Sequence, residues 1–105
     1  MKKYEVIVTP EAEAGITAAF RYIHNNSPRN ASKWLRALYS KISTLESFPG
    51  RCSIARERDY FEEELRQLVF KSHRIVFQIE EKSRIVRVLY FVHGRQRTVG
   101  EREET

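Results

Sequence analysis

The sequence predicts an α+β fold: an N-terminal strand, an antiparallel helical hairpin and a three-stranded antiparallel meander, with the helices packed on one face of the sheet. Three observations predict it. Two stretches in the first half space their apolar residues by three and four, as helices do. Three stretches in the second half are β-branched and aromatic over strand-like lengths. The links within each set are too short for anything but antiparallel neighbours. At 105 residues, 41% apolar and 31% charged, the chain has the composition of an ordered protein and room for one core. The expected domain spans residues 1–99, with a frayed polar tail at 100–105.

Each element has its own signals. "YEVIVT", residues 4–9, reads as the first strand. Thr9-Pro10 starts the first helix: threonine can cap free N–H groups, and proline at the first helical position loses no bond. Glu11 and Glu13 suit the positive end of the helix dipole. Ala12, Ile16, Ala19, Phe20 and Ile23 then build one apolar face. "NNSPRNA" repeats the start signal, with Asn25-Asn26 closing the first helix, Ser27 capping the second and Pro28 in its first turn. Ala31, Trp34, Leu35, Leu38, Ile42 and Leu45 make a second stripe, ended by Pro49-Gly50. Residues 51–60 read as a polar loop with a short turn of structure. Residues 65–70, 73–80 and 84–93 read as the meander, joined by "KS" and "EEKS", and the first strand is expected to pair with it.

Strand alternation sorts the side chains of the meander. Arg66, Leu68 and Phe70 share a face of the first strand; His73, Ile75, Phe77 and Ile79 oppose Arg74, Val76 and Gln78 in the second. In the last strand Val86, Val88, Tyr90 and Val92 oppose Arg87, Leu89, Phe91 and His93. Arg74 therefore falls on a mixed face that water or a ligand can reach.

The net charge of +5, from 19 Lys and Arg against 14 Asp and Glu, favours a polyanion or an acidic protein as partner, or serves solubility alone. One cysteine, Cys52, excludes an intrachain disulfide. His24, His73 and His93 lack the spacing of a metal site, and the phosphate-loop, dinucleotide and serine-elbow motifs are absent, so neither metal nor cofactor is expected. The N-terminus turns polar too soon for a secretory signal, and no apolar run approaches the roughly 20 residues of a bilayer span. The expected setting is the cytoplasm.

The candidate site is cationic: Arg66, Arg74, His93, Arg95 and Arg97 are expected to gather at one rim of the sheet. A guanidinium grips phosphate or carboxylate through two parallel hydrogen bonds. A histidine at a strand end can exchange protons near neutral pH. The alternatives for the same residues are a surface ion pair for Arg74 or Arg66, a cap for His93, and a solvated end for "GRQR".

The order of motifs, with "SP", "A" and "W" in the second helix, then "LR.L", "HRIVFQI" and "VLYFVHGRQR", resembles the RelE/ParE superfamily of toxins from type II toxin–antitoxin (plasmid-stabilisation) modules. The similarity covers nearly the whole chain. It implies a compact toxin neutralised by a cognate antitoxin that lays an amphipathic, acidic segment over helices and sheet edge. RelE-like members cut messenger RNA on the ribosome without metal; for that activity the resemblance assigns Arg74 to the scissile phosphate and His93 to proton transfer. Leu65 and Gln67 stand where RelE-like enzymes carry lysines, and no tyrosine follows "GRQR". ParE-like members poison DNA gyrase instead, and "SP..A..W", "LR.L" with Arg66 and "HGR" look closer to that branch; an inactive relative that only binds its antitoxin is the remaining alternative.

Overall fold

The computed structural model describes residues 3–55 and 64–94. Its element order is β1 (Glu5–Val8), α1 (Pro10–Asn26), α2 (Pro28–Ser43), two 3-10 turns (Thr44–Glu46 and Pro49–Arg51), β2 (Ser53–Ile54), β3 (Leu65–Phe70), β4 (His73–Glu80) and β5 (Ile85–His93). The strands form one sheet in the order β1-β5-β4-β3-β2. The meander β3-β4-β5 is antiparallel, as expected, and β1 pairs with it, but β1 runs parallel to β5. A parallel pair needs a crossover between its strands, and the helical hairpin begins that crossover. The sheet is therefore mixed. The stretch read as loop also contributes β2, which pairs with β3 through Ser53–Gln67 and Ile54–Arg66; residues 56–60 of that stretch lie outside the described residues.

Local chemistry sets the helix ends. Thr9 caps α1 by accepting from Ala12 N at 3.3 Å, with Pro10 next to it. Ser27 alone separates the two helices and serves both. Its N–H donates to Ile23 O at 2.9 Å, ending α1, and its Oγ accepts from Asn30 N at 3.2 Å, starting α2. With both ends satisfied by one residue, the hairpin needs no longer loop. α2 stops at Ser43, so Leu45 lies in the first 3-10 turn, yet it is fully buried.

The main core lies between the hairpin and one sheet face. It joins Ala12 and Ile16 of α1 and Trp34, Leu38 and Ile42 of α2 to Ile75, Phe77, Val86, Val88 and Phe91. Gly15 sets the approach of α1 to β5, because a Cβ there would sit 2.5 Å from Phe91 O. The other sheet face carries a small second cluster of Ala55, Leu65 and Val76, flanked by Leu89 and Tyr90. Among the described residues, no helix is long and apolar enough to cross a membrane.

One irregularity decides where side chains point. Phe77 pairs with Val88 but Val76 pairs with Tyr90, so Leu89 is an extra residue in β5, a β-bulge. The N–H of Thr9 donates to Val88 O at 3.0 Å, and its hydroxyl donates to the same carbonyl at 2.8 Å. The residue that caps α1 thus also holds the bulge. Beyond it the alternation of β5 inverts. Phe91 joins Val86 and Val88 in the main core, while Tyr90 moves to the opposite face. The grouping of Tyr90 with Val86 and Val88, and of Phe91 with Leu89 and Arg87, is corrected accordingly.

Candidate functional site

The β3–β4 turn is built from Lys71 and Ser72, with Lys71 in the left-handed region at φ 54°. Gly94 N donates to Ser72 O at 2.7 Å and ties the end of β5 to this turn. Next to that bonded pair, His73 opposes His93. Antiparallel pairs alternate between hydrogen-bonded and non-hydrogen-bonded, so His73 and His93 form the latter kind, in which side chains approach most closely. Their ring centroids lie 5.2 Å apart at 68°.

His73 is held on three sides. It stacks on Phe91 at 4.6 Å with 4° between the planes, and Trp34 meets it edge-on at 6.3 Å. Its Nδ1 lies 3.5 Å from Ser72 Oγ. Partial burial, and secondarily the neighbouring His93, push the His73 pKa below the usual imidazole value. His93 is exposed at the strand end. Both imidazoles border a cavity of about 460 Å³ whose apolar wall is Ala19, Tyr22, Ile23 and Trp34. Tyr22 stands 73% exposed at its mouth.

Arg74 faces away from this cavity wall. It is 2% exposed, on the sheet face opposite the helices, and its Nη1 donates to Gln67 Oε1 at 3.1 Å. The mixed face is therefore covered at Arg74 rather than open to solvent. A smaller cavity of about 260 Å³ runs over the turn and borders Lys71, Arg74 and His93. It is the one place where two of the expected cationic residues meet among the described residues.

Arg66 does not join them. It pairs with Phe77, well along the sheet from the turn, and points to the helix side with Leu68 and Phe70. Its guanidinium donates to Cys52 O at 2.6 Å and forms an ion pair with Glu64 at 2.9 Å. A single rim holding Arg66, Arg74 and His93 is thus corrected to a turn-end cluster of Arg74, His73 and His93, with Arg66 elsewhere. Arg95, Arg97 and the 100–105 tail lie outside the described residues.

Sequence reasoning passed over His73 and Trp34 as functional residues. His73 reads as one more position of an apolar face, and its partner appears only with the β5 bulge. No group of three or more His, Cys, Asp or Glu fit to hold a metal occurs among the described residues. The cluster offers two imidazoles, a buried guanidinium and an apolar cavity. The apolar cavity beside the imidazoles suits an amphipathic surface, whereas the guanidinium is buried on the other face.

Comparisons with known proteins agree with this architecture. A family model described as ParE toxin of type II toxin-antitoxin system, parDE, matches residues 6–98. No curated protein matches the sequence. Among solved structures, a chain of the chromosomal ParDE toxin–antitoxin system from P. aeruginosa superposes with a TM-score of 0.70 at 13% identity, covering 86% of this chain and 95% of that one. A chain of the toxin–antitoxin complex RelBE2 from Mycobacterium tuberculosis superposes with a TM-score of 0.58 at 19% identity, covering 87% and 98%. At such identities the structural likeness shows the fold.

Proposed function

The chain belongs to the family of ParE toxins of type II toxin–antitoxin systems, and from that premise we propose that it arrests growth by inhibiting DNA gyrase and is neutralised by a cognate antitoxin. The observation that carries the gyrase reading is the burial of Arg74. At 2% exposure and hydrogen-bonded to Gln67, it orders the sheet. A phosphate-gripping arginine must offer its fork to the ligand. Arg66, engaged with Glu64 and Cys52 O, adds no charge at that end. A toxin that acts by protein contact needs no convergent acid, base and cation. Arg95 and Arg97, next in sequence after the His93-Gly94 end, are assigned to contact gyrase or the DNA it holds.

The antitoxin reading draws on the similar structures, both of which come from toxin–antitoxin systems. An amphipathic, acidic segment suits an apolar cavity rimmed by Lys71, His73 and His93. Gyrase as target places the protein in the cytoplasm.

A second reading, ribosome-dependent and metal-independent cleavage of messenger RNA, has one observation in its favour: Arg74 and His93 border the same turn-end cavity. There Arg74 would steady the phosphate and His93 would transfer a proton. Two assays on the purified protein separate the readings. Gyrase supercoiling should fall with added toxin, while mRNA on ribosomes stays whole. Intact supercoiling together with ribosome-dependent cleavage replaces the first reading with the second. Normal growth on expression without the antitoxin, from soluble folded protein, removes both.

A further inference from the structure

We infer that His73 and His93 form a two-imidazole binding site for a divalent transition-metal ion of the zinc, nickel or copper kind. The inference is independent of the gyrase reading. It starts from strand register. The two residues are directly opposed in a non-hydrogen-bonded pair, so both side chains leave the sheet on the same face and at the closest cross-strand spacing. Their ring centroids are 5.2 Å apart. A metal bonded to an imidazole nitrogen at about 2.0–2.1 Å lies roughly 3.2 Å from that ring's centre, and two such rings at a tetrahedral angle have centres roughly 5.2 Å apart. The observed separation lies within the span that two imidazoles sharing one ion require. The rings meet edge to face at 68°, so with His73 held by its neighbours it is the exposed His93 that turns to bring a nitrogen to an ion bound at His73.

The site is also held in place. His73 is fixed by its stack on Phe91 and its edge contact with Trp34, and the turn beneath is closed by the bond from Gly94 N to Ser72 O. Pre-positioned ligands lose little freedom on binding. Each imidazole has two nitrogens, so a hydrogen bond at one leaves the other for the metal. With no third His, Cys, Asp or Glu grouped there among the described residues, water completes the coordination. Lys71 and Arg74, the cations nearest the turn, oppose a hard ion held by charge alone. That selects metals bound through nitrogen, with copper favoured over nickel and zinc and with magnesium and calcium excluded.

The test is calorimetric titration of the full chain with zinc, nickel and copper salts, in a non-chelating buffer. The variants are His73→Phe, which keeps the ring packing against Phe91 and Trp34, His93→Gln, and His24→Ala as a remote control. Expected is saturable binding of one ion per chain, strongest for copper. Either cluster variant weakens it at least about tenfold, while His24→Ala leaves it unchanged. Imidazole resonances of His73 and His93, not His24, should shift together with the heat. Absence of saturable heat for all three metals overturns the inference. So does binding that survives the double variant His73→Phe/His93→Gln, or that disappears in His24→Ala.

Discussion

On the helix-covered face of the sheet, Ile75, Phe77, Val86 and Val88 join one core with Ile16, Trp34 and Leu38. On the opposite face, among the described residues, Ala55, Leu65 and Val76 form a small buried cluster, with the buried Arg74 next to Val76 along β4. The contrast shows how a small mixed sheet divides its labour. Among the described residues, buried apolar area, and with it the larger share of burial free energy, is concentrated under the helices. On the face that the hairpin leaves uncovered, the sheet accommodates one fully buried guanidinium, that of Arg74. At the turn end, Arg74 of one face and His93 of the other border one cavity.

The sharpest way to break the contrast is to truncate one side chain on each face. Phe77→Ala should cost about 3–5 kcal/mol, because it opens a void among side chains that cannot close over it. Val76→Ala, its neighbour in sequence and equally buried, should cost less, about 1–3 kcal/mol. Urea unfolding of both variants measures the difference, and equal losses would mean that the outer face stabilises the fold as much as the core does. Gly15→Ala probes the helix-covered side without removing anything. Its new Cβ would meet the backbone carbonyl of Phe91 at 2.5 Å, and neither the helix nor the strand can yield locally. A loss of about 1–3 kcal/mol and a lower Tm are expected; an unchanged Tm would show that α1 slides freely on β5.

Arg74 sharpens the comparison from the other face. Arg74→Met keeps most of the stem volume and gives up only the guanidinium, so the stability change should stay within about 1–2 kcal/mol, in the manner of buried charges replaced by apolar side chains. Arg74→Ala should lose more, because the stem packing goes as well. In the gyrase reading Arg74→Met also retains inhibition of supercoiling. A folded Arg74→Met protein that no longer inhibits gyrase would return this residue to the functional surface.

Much of this arrangement is written locally and some of it is not. The caps at Thr9 and Ser27, the apolar stripes of both helices and the three meander strands follow from spacing and turn chemistry, and they stand where those rules put them, save that Leu45 falls in a 3-10 turn just past α2. The parallel pairing of β1 is a global outcome that no local pattern encodes. The candidate site turned on a single residue. A regular hairpin that pairs Glu80 with Ile85 would set His73 against Val92 and put His93 on the side of Arg74. Within the unbroken apolar run from Val88 to Val92, nothing in the sequence marks Leu89 as extra. The bulge is fixed instead by Thr9, some eighty residues earlier, whose N–H and hydroxyl both reach Val88 O. It brings His73 and His93 together. Arg66 failed as a site residue for a related reason: β2 brings up the carbonyl of Cys52 that its guanidinium takes, and two residues are too short a strand to read.

The smallest expected effect concerns Cys52, at the margin of the helix-covered core. Burial raises its thiol pKa, and the nearby charges of Arg51, Arg66 and Lys41 only partly offset the rise. The folded chain therefore holds this proton more firmly than the unfolded chain does. As pH rises past the ordinary thiol value, the unfolded state ionises first, so the stability that Cys52 contributes is complete below that value and declines above it. Urea midpoints between pH 7 and 10 should fall slightly more steeply for the native chain than for Cys52→Ala, and native Cys52 should alkylate far more slowly than the denatured thiol. Equal pH slopes in the two proteins, with rapid alkylation of the native chain, would place Cys52 at the surface and shrink the covered face by one residue. Arg66 enters the same measurement. As it is one of the cations favouring the thiolate, Arg66→Gln should raise the thiol pKa further and slow alkylation, an outcome opposite to that expected if Arg66 merely shielded the sulfur.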